Sequence, residues 1–260
     1  MLSQAAAAEM KILRRDRLTA LASLLAIISL AWVYLWIDAD RMDAPMMPMA
    51  RGWNLGSLLS TALMWSVMMI GMMLPSAAPA ILLYGAMVRK NGERGSVLPA
   101  VWIFTAGYLA VWFVFSLAAT VLQVSLEQAL LLSPMMTSTS VWLSGCLLIT
   151  AGVYQWLPIK EACLNKCRAP LQFLLFHWRA GRFGTFRMGA EHGAFCVGCC
   201  WALMLLLFAV GVMNLLWVAL IAGFVLIEKV LPPRSLGGRW IGRTAGVMLA
   251  VAGTVMILDA

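Results

Sequence analysis

The sequence predicts an all-α, polytopic bundle of about seven membrane-spanning helices, and three observations predict it. Of 260 residues, 63% are hydrophobic and only 12% are charged. A soluble domain is usually near half apolar and about a quarter charged. The apolar residues fall in long continuous runs, not in alternating stretches of about ten, so a transmembrane β-barrel is set aside in favour of helices, which satisfy their own backbone groups in lipid. Finally, lysine and arginine sit on alternate sides of successive runs, as the positive-inside rule requires.

The first run, 18–37, follows Lys11, Arg14, Arg15 and Arg17 and ends at Asp38-Ala39-Asp40. It has the length of about 20 residues that a crossing needs and no small-residue cleavage site, so it reads as an uncleaved helix. The second run, 56–88, is too long for one straight crossing and contains Pro75 and Pro79. Proline removes a backbone donor and crowds the preceding turn, so a kink or break is expected near Leu74–Ala80. The third and fourth runs are 98–124 and 138–157. The fifth and sixth, 194–211 and 214–231, are separated only by Val212 and Met213. They predict a tight helical hairpin with Gly211 and Asn214 at its turn. The seventh run is 241–258, and no repeat or linker divides the chain, which reads as a single domain over 1–260.

With the amino terminus inside, seventeen of the 19 basic residues fall on the cytoplasmic side; only Arg41 and Arg51 fall outside. The net charge of +8 is therefore read as topological. No basic face is interleaved with aromatics, so nucleic acid is not an expected partner. Trp32, Trp36, Trp53, Trp156 and Trp178 read as an aromatic belt, and Arg168, Arg179, Arg182 and Arg187 as contacts to anionic lipid. Glu228-Lys229 reads as a boundary pair that snorkels to the surface.

Six cysteines carry the first chemical signal. Cys146 lies within an apolar run and reads as a small packing residue. The other five are assigned to the long cytoplasmic loop between the fourth and fifth runs, or its edge. There a reducing compartment argues against structural disulfides and for metal binding or redox chemistry. On a helix, His192, Cys196, Cys199 and Cys200 would share one face. His192 and Cys199 would lie about 10 Å apart along the axis, too far for one metal ion, whereas Cys196 with Cys199 or Cys200 would be close enough. Gly193 and Gly198 would permit a looser start that brings His192 nearer. Cys163 and Cys167 place two more thiols one turn apart, and together the pairs could close a thiolate-rich site with His192 or His177. Thiolates suit Cu(I), zinc or iron–sulfur clusters, but the spacing matches no standard zinc finger or ferredoxin pattern.

Methionine is the second signal, with 19 in the chain. Met64, Met68 and Met72 repeat every four residues, with Met69 and Met73 beside them. Met42, Met46, Met47 and Met49 precede this run, and Met135 and Met136 occupy the next outside loop. A methionine stripe at helical spacing is more often packing than pathway, but this one stands directly before the expected Pro75/Pro79 break. Together the signals suggest a route: thioethers collect a soft cation outside, the stripe carries it inward and thiolates receive it. The expected metal is Cu(I), with zinc as the alternative. No serine-histidine-acid set, phosphate loop or paired intramembrane carboxylates occur, so no hydrolase or ATPase signature is present.

The run from Met68 to Pro79, the run Tyr154–Pro170 with Cys163 and Cys167, and the run His192–Met204 resemble a bacterial family. It is known as predicted metal-binding integral membrane proteins and classed as a domain of unknown function. The resemblance covers about residues 56–258. It implies metal binding at Cys163, Cys167, His192, Cys196, Cys199 and Cys200; the placement of basic residues puts the carboxyl terminus outside, which in a bacterial inner membrane is the periplasm. The function expected is transport of copper or its delivery to a metalloenzyme partner. A membrane thiol oxidoreductase using Cys163/Cys167 and Cys199/Cys200 is the first alternative, and a scaffold subunit of a membrane complex is the second. Partners expected are membrane lipid, a metal ion, and a protein partner or a second copy of the chain.

Overall fold

The computed structural model describes residues 2–43, 54–90, 96–132, 138–231 and 236–260, with side chains over 15–41, 54–90, 96–132, 138–231 and 240–260. Met46, Met47, Met49, Arg51, Trp53, Arg94, Met135, Met136 and Arg234 lie outside the described residues, as do the side chains of Lys11, Arg14, Met42 and Arg239. The described chain is helical: α1 (Leu2–Asp43), α2 (Leu55–Lys90), α3 (Leu98–Gln128), α4 (Val141–Tyr154), α5 (Pro158–Arg168), α6 (Pro170–Phe176), α7 (Gly181–Val210), α8 (Leu215–Val230) and α9 (Leu236–Leu258).

Among the described residues, five helices are long and apolar enough to cross a bilayer: Arg15–Arg41 of α1, all of α2, α3 and α7, and Trp240–Leu258 of α9. The pair α4 and α5 meets that standard only jointly, across a 65° bend. The bend has a local cause. Leu157 precedes Pro158 and is extended, with φ −71° and ψ 136°, because proline disfavours a helical residue before it. The 16 residues of α8 reach roughly 24 Å, short of a hydrocarbon layer of about 30 Å. Where seven runs were expected to cross, five helices have the length and apolarity to do so, the bent pair α4–α5 has them only jointly, and α8 falls short.

Two boundaries differ from expectation. Of the kink or break expected in the second helix, the break is absent: α2 runs continuously through Pro75 and Pro79. Ser76 Oγ donates to the Met73 carbonyl at 2.8 Å and Tyr108 OH at 3.2 Å, so a hydroxyl of α3 meets the backbone of α2 beside Pro75. The fifth crossing also starts earlier, at Gly181 instead of 194. The expected hairpin is present: Gly211, at φ +98°, ends α7, and the Asn214 side chain accepts from Trp217 N to cap α8.

The core draws most on α2 and α7, whose most apolar stretches are 50% and 56% buried against 17% for α9. Glycines set the closest helix approaches. A Cβ on Gly107 would strike the Phe186 carbonyl and one on Gly189 the Phe104 carbonyl, so α3 and α7 touch through their backbones. Gly145 and Gly152 on α4 do the same with Gly253 and Gly246 on α9. Leu30, Val114, Phe176, Leu216 and Met248 are at least 65% exposed. An apolar exterior of this kind is compatible with insertion into a bilayer.

Candidate metal centre

The early start of α7 places His192 in one continuous helix with the second cysteine group. Cys196, Cys199 and Cys200 lie within the helix, spaced i, i+3, i+4 on one face, and each is 1% exposed. Cys199 Sγ and Cys200 Sγ both donate to the Cys196 carbonyl at 3.0 Å. Cys163 and Cys167 lie on α5, so the supposed loop cysteines are all helical.

α5 brings its thiols onto α7. The Cys167 and Cys199 side chains lie beside one another. Cys163 Sγ lies 2.8 Å from where a Cβ on Gly198 would sit, so only glycine admits this approach. Gly193 is likewise a packing glycine, against the Tyr108 carbonyl. Neither glycine loosens the helix as expected. The Tyr154 hydroxyl donates to the Gly198 carbonyl and fixes α4 to the same turn.

α2 supplies the other side. Met64, Met68, Met69, Met72 and Met73 are all buried, at most 3% exposed, and belong to one apolar core with the cysteines of α7. Met73 completes the junction: its Sδ lies 3.9 Å from Cys200 Sγ. The structure thus joins Cys167, Cys196, Cys199, Cys200 and Met73, with Cys163 beside them.

His192 stays apart. It lies one turn before Cys196 among the rings of Phe104, Tyr108 and Phe173, at 5.3–6.2 Å between centroids, and its buried Nδ1 has no hydrogen-bond partner. His177 stacks on Phe173, with its Nδ1 3.0 Å from the Phe173 carbonyl. Cys146 is exposed on α4, not packed inside as expected.

Lys229 is the participant that the sequence reading missed. Lys229 and Glu228 are buried, 7% and 3% exposed, and neither snorkels. The Lys229 ammonium donates to Cys196 Sγ at 2.8 Å and to Ser76 Oγ at 2.9 Å. The Tyr108 hydroxyl is 3.0 Å from the same sulfur. Glu228 points the other way, into an ion pair with Lys160 at 2.8 Å, while Arg168 Nε donates to its carbonyl. A signal for this was present: the apolar run is short and Pro232-Pro233 follows at once, leaving the pair no length of helix on which to reach a surface. Of the arginines assigned to lipid, Arg179 and Arg187 pair with Glu191.

Chemically the cluster is a set of soft donors with one fixed cation. Among the described residues, no three His, Cys, Asp or Glu side chains are arranged to hold a metal ion. The reason is visible in the thiols: Cys199 and Cys200 turn to a carbonyl instead of a common point. A soft ion that accepts two sulfurs makes a smaller demand, and a methionine can serve it where zinc prefers thiolate, imidazole or carboxylate.

Residues 62–256 match a protein-family model described as PpoB2, copper chaperone. That stretch contains every residue of the cluster. No curated protein and no solved structure matches the chain.

Proposed function

The chain belongs to the PpoB2 copper chaperone family, and from that premise we propose that it is a membrane-embedded carrier of Cu(I). It takes the ion along the methionine face of α2, holds it at the thiols of α7 and α5 and releases it to a protein partner that assembles a metalloenzyme. Cys196 with Cys199 or Cys200 provides the thiolate pair. Met73 is the last thioether of the path. Cys167 and Cys163 lead away along α5, and His192 is a secondary donor one turn further along.

The observation that carries this reading is the contact between Cys200 and Met73. It makes two separate sulfur-rich surfaces continuous. Thioethers bind Cu(I) without fixed charge, so Met64, Met68, Met69 and Met72 form a run of weak, exchangeable donors ending at stronger ones. In this reading the bilayer is the bacterial inner membrane. The amino terminus is cytoplasmic and the carboxyl terminus periplasmic, and α8 counts as a short seventh crossing. The exposed apolar residues of the helices and the placement of basic residues support that arrangement.

The test is Cu(I) binding by protein purified from membranes, measured by competition with a chromophoric chelator. Wild type should bind about one ion per chain, and the combined Cys196→Ser, Cys199→Ser, Cys200→Ser variant should lose it. Equal copper in both would remove the proposal.

A further inference from the structure

A lysine buried against a cysteine inside an apolar bundle is costly and needs a reason. Lys229 is held on α8 between Ser76 of α2 and Cys196 of α7. Among the described residues no carboxylate pairs with it. Glu228, its chain neighbour, is engaged by Lys160 of α5 instead. The other polar groups close by, the Ser76 and Tyr108 hydroxyls, carry no formal negative charge. The positive charge is therefore directed at one sulfur of the proposed centre.

We propose that Lys229 is the fixed counter-charge that makes the thiol centre select a monovalent soft cation over a divalent one. The inference rests on the copper-carrier reading above. Two thiolates with one monovalent ion leave a single negative charge, and the Lys229 ammonium cancels it. The same two thiolates with a divalent ion are already neutral, and Lys229 is then an uncompensated charge beside a cation in a low-dielectric core. Burying an unpaired charge there is heavily disfavoured. The lysine thus accepts one kind of complex and penalises the other, without being a ligand. It is a specificity-determining residue acting through Cys196.

Ag(I) and Cd(II) are suitable probes, because both are soft and thiophilic and they differ in charge. The full-length protein is loaded with each ion alone and with both in competition, and occupancy is read by metal analysis and native mass spectrometry. Wild type is expected to keep Ag(I) against an approximately 100-fold excess of Cd(II). Lys229→Met, of similar length and neutral, should raise Cd(II) binding relative to Ag(I) by at least about tenfold, and Lys229→Arg should keep the wild-type ratio. The idea is overturned if wild type takes Cd(II) at these cysteines as readily as Ag(I), or if Lys229→Met folds and leaves the ratio unchanged. The wild-type arm decides the matter even where Lys229→Met fails to fold. Failure of wild type to bind either monovalent ion, Cu(I) or Ag(I), would instead remove the copper-carrier reading beneath it.

Discussion

The Cys200 thiol lies 3.9 Å from the Met73 thioether, although 127 residues separate them in the chain. They stand on α7 and α2, the two most buried helices of the bundle. Each side chain is packed at 1% exposure or less, so the contact belongs to the core and not to a mobile surface.

Replacing Met73 by leucine tests that contact with little change in volume. The substitution should cost less than about 1.5 kcal/mol of stability, as volume-conserving core changes do. Loss of one sulfur donor should weaken Cu(I) binding by about tenfold, or roughly 1.4 kcal/mol. Met64 lies some 13 Å further along the axis at ~1.5 Å per residue. Met64→Leu should therefore leave equilibrium affinity unchanged and slow the loading of copper into membrane vesicles. Chelator competition measures the first quantity, and timed uptake the second. Equal losses of affinity from the two substitutions would contradict a junction at Met73.

The Lys160–Glu228 pair makes a separate prediction about stability. Both side chains are 4% exposed, and Lys160 also donates to Gln155. Glu228→Gln would strand the lysine in the core, and removing one partner of a buried pair typically costs about 3–5 kcal/mol. Replacing both, as Lys160→Met with Glu228→Leu, should recover most of that loss, because the desolvation penalty goes with the charges. Thermal unfolding in detergent, followed by circular dichroism, gives the comparison. Recovery of stability without recovery of copper binding would show that the pair serves the metal centre as well as the fold.

How far the sequence carried the description depends on the residue. Helical class, the hairpin at Gly211 and Asn214, and the shared face of Cys196, Cys199 and Cys200 follow from periodicity and capping chemistry, which are local. The continuity of α2 through Pro75 and Pro79 is not legible locally: Met73, Leu74, Ala77 and Ala80 around them are buried against other helices, and tertiary packing of that kind overrides local propensity. Cys163 and Cys167, expected in a loop, are helical on α5, and the polar stretch 181–193 is helical too, with Gly189 and Gly193 packed against α3; neither stretch is a long apolar run. Lys229 was misjudged for a related reason. Its burial is set by Cys196 and Ser76, 33 and 153 residues away, and no window along the chain contains all three.

The glycine contacts of α3 and α7 are testable by a single methyl group. Gly189→Ala would push a Cβ into the Phe104 carbonyl, a backbone atom with no freedom to rotate aside. Overpacking of this kind costs about 1–3 kcal/mol or more, and here it would also displace the turn that precedes Cys196. Gly223 on α8 is the control, since nothing lies within 4 Å of a Cβ placed there. Alanine at that position should stabilise the helix by about 0.5–1 kcal/mol. Melting temperatures of the two variants in the same detergent should therefore move in opposite directions.

Thiol trapping in intact cells separates a metal carrier from an oxidoreductase. A carrier of Cu(I) needs its sulfurs reduced throughout its cycle, whereas an enzyme that exchanges disulfides between Cys163/Cys167 and Cys199/Cys200 must pass through an oxidised state. Rapid acid quenching followed by alkylation should recover all six cysteines as thiols. Cys146, exposed on α4, provides an internal standard for labelling efficiency. Cys163 and Cys167 are partly exposed and should react with a small maleimide in the purified metal-free protein. Copper at the centre should slow Cys167 more than Cys163, because Cys167 is the one beside Cys199. A standing fraction of Cys163–Cys167 or Cys199–Cys200 disulfide in growing cells would instead favour the redox reading, since a carrier gains nothing from oxidising the donors that hold its cargo.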